Sequence, residues 1–301
     1  KAFAGSDATA VGSGAADVAD VQTNLTAIGK DALGTATSGN NCTAVGKNAL
    51  GATVNGAQNT AVGTGALAAD CGDNNTAVGS GVLDVFTGDN ATAIGHQAAA
   101  LATSATHLTA VGNGALGACV TGANNTALGS TAGYLIIGNR NTMIGNEAGY
   151  YATTVDDCIA IGSKALEGAA SFTESSCTYN NDPTIGHTAD TRIIAGIHVT
   201  GTGIPAGATV ASINSSTSFE LSASTTGGAQ GGGDGTLTFW QTTGNYNVAI
   251  GSYAGDALTT GTNNVLIGHQ AGSAIQDDSN NTALGYNALK AATAGDQNTA
   301  I

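Results

Sequence analysis

A glycine closes the phrase Thr-Ala-Val-Gly at positions 46 and 63, and lightly varied copies of that phrase return along most of the chain. Taken as a landmark, this glycine stands at 12, 29, 46, 63, 79, 95, 112, 129, 145 and 162, then at 251, 268 and 285. The steps are 16 or 17 residues, apart from one jump of 89. A repeat this faithful constrains the fold more than any single residue does. Each copy is one small structural unit that buries its apolar side only by stacking on the next.

Aligned on the landmark, each position shows its preference. The residue before it is always Val, Ile or Leu, as in Val62, Val78 and Ile144. Two before is Ala in 11 of 13 copies, and three before is Thr, Val or Ile. Four before is often Asn, as at Asn75, Asn125 and Asn141. Three after is Ala in 12 of 13 copies, commonly followed by Leu. Thr and Val therefore share one face and Ala the other, the alternation of a strand. The recurring Gly46, Gly63, Gly79, Gly129 and Gly145 mark a bend, with positive φ expected there. Each unit reads as a three-residue strand, a Gly bend, a second short strand around Ala-Leu, and a polar turn. A helix is excluded by the frequent Gly and the Thr, Val and Asn of the phrase.

The expected fold is all-β, a parallel β-solenoid (β-roll) of 16–17-residue turns with an aliphatic ladder inside. Fourteen copies, counting the last incomplete one, would span roughly 65 Å at a strand spacing of ~4.8 Å. Asn side chains in register would bond to those above and below, as in other stacked β structures.

The rhythm fails between Gly162 and Gly251. Residues 181–189 (NDPTIGHTA) keep an echo of the phrase around Gly186, and then the text changes to IIAGIHVTGTGIPAGATVASINSS. Both prolines, the single Trp and three of the five Phe fall between 171 and 243. The organisation expected is solenoid over 1–170, an inserted small β module over 171–243, and solenoid again over 244–301. Phe172, Phe219 and Phe239 suit a core belonging to the module. The sharper alternative makes Phe219, Phe239 and Trp240 a receptor-contacting surface.

Composition narrows the chemistry. Charged residues are 9% of the chain, with seven Lys and Arg against a net charge of −14. So few cations build no basic patch, which excludes a nucleic-acid binder that tracks phosphates. No apolar run approaches the ~18–20 residues of a membrane helix, so no membrane insertion is expected of this segment. The chain opens without Met and stops inside the phrase, at Gln-Asn-Thr-Ala-Ile, and is read as part of a longer protein.

Five Cys form no metal-like spacing. Cys42 and Cys158 replace the Asn four before the landmark, so they read as fillers of a small buried slot, with an interchain disulfide as the alternative. Motifs of the GxSxG, HExxH and P-loop kinds are missing from the sequence, so no enzyme and no cofactor is expected. His96 and His269 occupy the same position after the landmark, an exposed repeat slot. Asp73 and Asp89 recur six before it, on successive turns, where stacked carboxylates repel. A calcium ion would relieve that repulsion, which makes the pair a weak metal candidate. Asn-x-Ser/Thr triplets, as at Asn24 and Asn124, are by-products of the repeat.

The phrases N-x-T-A-V-G-x-x-A-L and N-N-T-A-L-G-S-T-A-G-Y resemble the head repeats of YadA-like trimeric autotransporter adhesins. They are also similar to repeats of bacteriophage tail fibres, over 1–170 and 244–301. The resemblance implies a left-handed β-roll in a homotrimer, each chain laying a flat face on the next, with the Ala two before each Gly suited to that contact. The stretch GTGIPAGATVASINSSTSFELS resembles small β modules of phage structural proteins. The function implied is a structural fibre shaft on a virion surface, most like a phage tail fibre that attaches to a host-surface glycan or protein. A bacterial surface adhesin and a self-assembling extracellular filament are the alternatives. Further readings are a β-solenoid polysaccharide depolymerase, which would need paired carboxylates on one face, and an ice-binding solenoid. Ice binding calls for outward Thr-x-Thr rows, and here Thr shares its face with Val.

Overall fold

Each solenoid turn makes one short strand, at the phrase itself. The computed structural model describes residues 7–17, 23–35, 37, 39–168, 172–190, 193, 197–205, 208–226, 235–240, 244–291 and 295–301. Its first ten strands are β1 (Ala8–Val11), β2 (Leu25–Ile28), β3 (Thr43–Val45), β4 (Thr60–Val62), β5 (Thr76–Val78), β6 (Thr92–Ile94), β7 (Thr109–Val111), β8 (Thr126–Leu128), β9 (Thr142–Ile144) and β10 (Ile159–Ile161). The insertion holds β11 (Phe172–Cys177), β12 (Thr184–Gly186), β13 (His198–Gly201), β14 (Val210–Ser215), β15 (Ser218–Leu221) and β16 (Gly235–Trp240). The phrase then resumes with β17 (Val248–Ile250), β18 (Val265–Ile267), β19 (Thr282–Leu284) and β20 (Thr299–Ala300). All fourteen phrase strands lie in one sheet in chain order, β10 being followed by β17. This is a parallel β-solenoid of about 15 turns with small antiparallel sheets inserted.

Two compact units divide the chain: Lys1–Tyr134 with Asn139–Ala148, and Leu135–Gly138 with Gly149–Ile301. In the first, the rungs stack residue on like residue, as in Thr43↔Thr60, Ala44↔Ala61 and Val45↔Val62. In the second, β10 meets β17 in the same register, Ile159↔Val248, Ala160↔Ala249 and Ile161↔Ile250, although a whole module lies between them in sequence.

The interior differs from the expectation in what lines it. Ala27, Ala44, Ala61 and Ala77 point inward and are fully buried, while Val62, Val78 and Ile144 stand on the outer side of the sheet. The reason is width. The opposite wall carries Ala49 with Leu50, Ala66 with Leu67, and Ala115 with Leu116, all fully buried. Facing a wall of Leu, a closely packed interior has room for a methyl group and not for an isopropyl group.

Nor is there a second strand around Ala-Leu. Those residues form a turn in which Leu50, Leu67 and Leu116 take the left-handed conformation, each with φ of 50°. A strand would send Ala and Leu to opposite faces; the left-handed Leu lets both reach the interior. That backbone costs about 1–2 kcal/mol, and burying the Leu side chain returns about 1.5–3 kcal/mol. Each such turn also bonds to the next: Leu50 N–H donates to the Ala66 carbonyl at 3.0 Å, and Leu67 N–H to the Val82 carbonyl at 3.0 Å.

The landmark glycine is required twice over. Gly46 has φ of +137° and Gly63 of +139°, and a Cβ at Gly63 would lie 2.1 Å from the Gly79 carbonyl oxygen of the next turn. Even where the phrase varies, the interior compensates. Leu266 takes an Ala position, and Gly255 and Gly272 stand where other turns carry Leu; a Cβ on either would come within 2.8 and 2.7 Å of Leu266.

The Asn four before the landmark is fully buried at 59, 75, 125, 247 and 264. Asn75 shows why. Its Oδ1 accepts from Ala91 N–H at 2.9 Å and its Nδ2 donates to the Gly88 carbonyl at 3.0 Å, both on the following turn. In the second unit Asn247 repeats this, accepting from Asn264 N–H at 3.0 Å and donating to the Gly261 carbonyl at 2.8 Å. Buried polar groups of the turn are thereby paired.

The insertion folds on a different principle. Its strands make two antiparallel sheets, β11-β16-β13 and β12-β15-β14. Ile185, Ile197, Val199, Phe219, Leu237 and Phe239 form the core between them. Phe219 meets Phe239 edge-on at 5.7 Å, and Phe172 stacks on Phe239 at 5.0 Å. Gly186, the echo of the phrase, ends β12 and pairs antiparallel through Gly186↔Ser218. Two residues of shared spelling did not make a solenoid rung there, because Gly186 exchanges its backbone hydrogen bonds with Thr178, at 2.9 and 2.8 Å, while β15 pairs with β12.

Candidate functional site

Of the three aromatics read as a receptor surface, Phe219 and Phe239 are fully buried. That expectation is corrected: they hold the two sheets of the module together and offer nothing to a partner. The side chain of Trp240 lies outside the described residues. Among the described residues the exposed aromatic rings stand elsewhere, on the solenoid turns of the second unit, at Tyr246, Tyr253 and Tyr286. His269 lies between the last two, stacked on Tyr286 at 5.4 Å and edge-on to Tyr253 at 6.2 Å. In the first unit its counterpart His96 meets the Asn113 amide at 3.2 Å.

Asp73 and Asp89 have a structural task that needs no ion. Asp89 Oδ1 accepts from the backbone N–H of Asp73 at 2.6 Å, and Asp73 Oδ1 accepts from Ala57 N–H at 2.8 Å. Asn40 serves Thr23 N–H in the same way at 2.9 Å, and Asn139 serves Ala123 N–H at 3.0 Å. In the second unit Asn245 serves Asp156 N–H at 2.8 Å, and Ser279 serves Thr262 N–H at 3.0 Å. What this position asks for is a side-chain oxygen, charged or not. Among the described residues, no group of three or more His, Cys, Asp or Glu is placed to hold a metal ion.

All five cysteines are buried, and none is joined in a disulfide within the chain. Cys158 occupies an Asn slot and copies both of its bonds. Its sulfur accepts from Asn247 N–H at 3.4 Å, and the thiol lies 3.4 Å from the Gly244 carbonyl as donor. Burial pushes the Cys158 and Cys71 thiols up to about 11 and that of Cys119 up to about 12. Burial also raises the Cys42 thiol, and a buried thiol held in its neutral form is a poor partner for disulfide exchange, which counts against the interchain disulfide.

The outer face of the long sheet is a regular surface. In the first unit, nine successive rungs from Thr9 to Thr142 present Thr, and the residue two further on is always aliphatic. Val11 is 58% exposed and Leu128 47%. Neither row carries a charge. The outward residues of the second unit include Ile159, Val265 and Leu284, also exposed. This also corrects the expectation that Ala would make the close contact between chains, since Ala faces inward. Among the described residues no helix is long and apolar enough to cross a membrane.

Two smaller features lie elsewhere. In the module, a cleft of about 130 Å³ is lined by His187, Ala189, Asp190, Ile193 and Ile213, too small for a ligand pocket of the usual ~300–1,000 Å³. In the second unit, Lys164 Nζ meets Glu167 Oε1 at 2.8 Å. Asp256 occupies the matching position to Glu167 one turn on, each five residues past its landmark. Burial, helped by the nearby Glu167 charge, raises the Asp256 carboxyl to about 6, against the opposing pull of the backbone N–H groups of Asp256 and Ala257 and of Lys164. Its Oδ1 is buried without a hydrogen-bond partner. Sequence reasoning passed over this trio; aligning the residues five past each landmark would have set Glu167 and Asp256 side by side.

Comparison of the chain with protein-family models, curated proteins and solved structures finds no match.

Proposed function

We propose that this chain is a structural fibre segment that assembles with copies of itself through the outer Thr and aliphatic face of its long sheet. One observation carries the reading: a parallel sheet with one face uncovered. Parallel sheets are ordinarily buried on both faces. Here the interior is covered by the chain's own turns, while the outer face leaves Val11, Ile28, Val62, Ile94 and Leu128 exposed in the first unit. Contiguous apolar surface of this kind marks an association site, and identical copies related by symmetry are the simplest complement to a repeating face. A homotrimeric shaft of an extracellular or virion-surface attachment fibre fits that geometry. Within it, a phage tail fibre is the first reading and a bacterial surface adhesin the second, with a host-surface glycan or protein as the distal partner.

The test is the mass in solution of the native chain beside a variant carrying Val62→Lys and Ile94→Lys. Both side chains point outward, so the solenoid should keep its circular dichroism while the oligomer dissociates. A native chain that stays monomeric at every concentration up to its solubility limit sinks the proposal.

A second reading is supported by the unbroken Thr ladder. Nine hydroxyl-and-methyl groups, ~4.8 Å apart, form a regular array that suits ordered water. Thermal hysteresis in the native chain, lost with Thr60→Lys, would favour an ice-binding face over a packing face.

A further inference from the structure

We propose that Lys164 and Asp256 become joined by an amide bond, formed within the chain with Glu167 as the proton carrier, which staples the last solenoid turn before the insertion to the first turn after it. The register of β10 on β17 places Glu167 and Asp256 at equivalent positions on neighbouring turns, ~4.8 Å apart by strand spacing. Lys164 already rests its ammonium on Glu167, and the two side chains are only 31% and 20% exposed. A four-carbon stem that reaches Glu167 is long enough to reach the adjoining rung. Asp256 supplies the electrophile. Its Oδ1 is buried without a hydrogen-bond partner, and burial outweighs the backbone N–H groups of Asp256 and Ala257 to raise the carboxyl to about 6, toward the neutral acid form that an amine attacks.

The condensation balances without any outside reagent. One ammonium proton passes from Lys164 Nζ to Glu167, which frees the lone pair to attack Asp256 Cγ. The C–N bond forms, and the C–O bond to the acid hydroxyl breaks. A second nitrogen proton leaves with that hydroxyl as water, and the third remains on the amide nitrogen. Glu167 then returns its proton to solvent. Holding the reactants side by side removes the entropic cost of the encounter, worth several kcal/mol of a barrier in well-oriented systems (about 7–11).

The position gives the bond a purpose. Other neighbouring turns are tied by a step of 16 or 17 residues, whereas 89 separate Gly162 from Gly251. A covalent tie between Lys164 and Asp256 closes that gap, and a solenoid pulled along its axis would not open at the insertion. The inference does not depend on self-assembly or on attachment.

Intact mass measured on the denatured native chain decides the matter. The expected mass is one water below that of the sequence, with a proteolytic fragment in which the Lys164 and Asp256 peptides are joined. Lys164→Arg and Asp256→Ala should each restore the full mass, and Glu167→Gln should do so wholly or in large part. A native chain with the full sequence mass overturns the proposal, as does a water loss that persists in Lys164→Arg.

Discussion

At the scale of residues, the repeat tolerates any side chain that keeps a particular bond. Asn75 and Cys158 look unrelated, yet each accepts from a backbone N–H of the following turn and donates to a carbonyl there. Replacing Cys158 with Asn should therefore leave stability unchanged or raise it slightly. Cys158→Ala orphans Asn247 N–H, for about 1–3 kcal/mol, while the Gly244 carbonyl keeps the Asn247 side-chain amide at 2.8 Å. Urea midpoints of the two variants check the pair, and equal midpoints would refute the slot's polar role. Asp256 supplies a pH test in Lys164→Arg, where no amide can form. Its carboxyl rises from 3.8 to about 6 in the fold, so folding disfavours the charged form. Stability is then lost as pH rises through about 6 and regained as pH falls toward 4. After discounting for its solvent-exposed half, the effect is about 1 kcal/mol. Stability curves of Lys164→Arg should show it, and Lys164→Arg with Asp256→Asn should not.

At the scale of elements, the rung and not the strand is the unit of stability. Three residues are too short to hold as an isolated strand; β4 persists because β3 and β5 lie on either side in register. The backbones of successive turns come so close at the landmark that only glycine fits. Gly63→Ala should cost at least about 3 kcal/mol, since a left-sided φ is combined with a backbone clash. Thermal melts check this, and a drop of only a degree or two would mean the turns can slide apart. The period, the bend and the interruption were all legible from spacing, since each is a statement about chain position. The second strand was misread because Ala-Leu has strand-like composition, whereas interior width forces both side chains to one side.

At the scale of the whole molecule, the uncovered outer face governs how stability depends on concentration. If copies pack there, the melting temperature should rise with protein concentration, because association stabilises only the folded form. Val62→Lys with Ile94→Lys should abolish that dependence. A concentration-independent melt in the native chain would count against assembly as directly as a monomeric mass. The insertion belongs to this scale too. Two of its aromatics had two possible uses, and the packing of Phe219 on Phe239 assigns that pair to the core.

The sequence alone determined the period, the parallel stacking of like on like, the bend at each landmark and the place where the solenoid is interrupted. All of these follow from residue spacing, which one dimension records in full. Only the tertiary structure decided which side of each strand is the inside, because that depends on the width left by the opposite wall of Leu. It also decided that Asp73 and Asp89 cap a neighbouring backbone. Last, it brought Glu167 and Asp256 onto adjoining rungs across an 89-residue step. Distance along the chain hides such neighbours, and stacking reveals them.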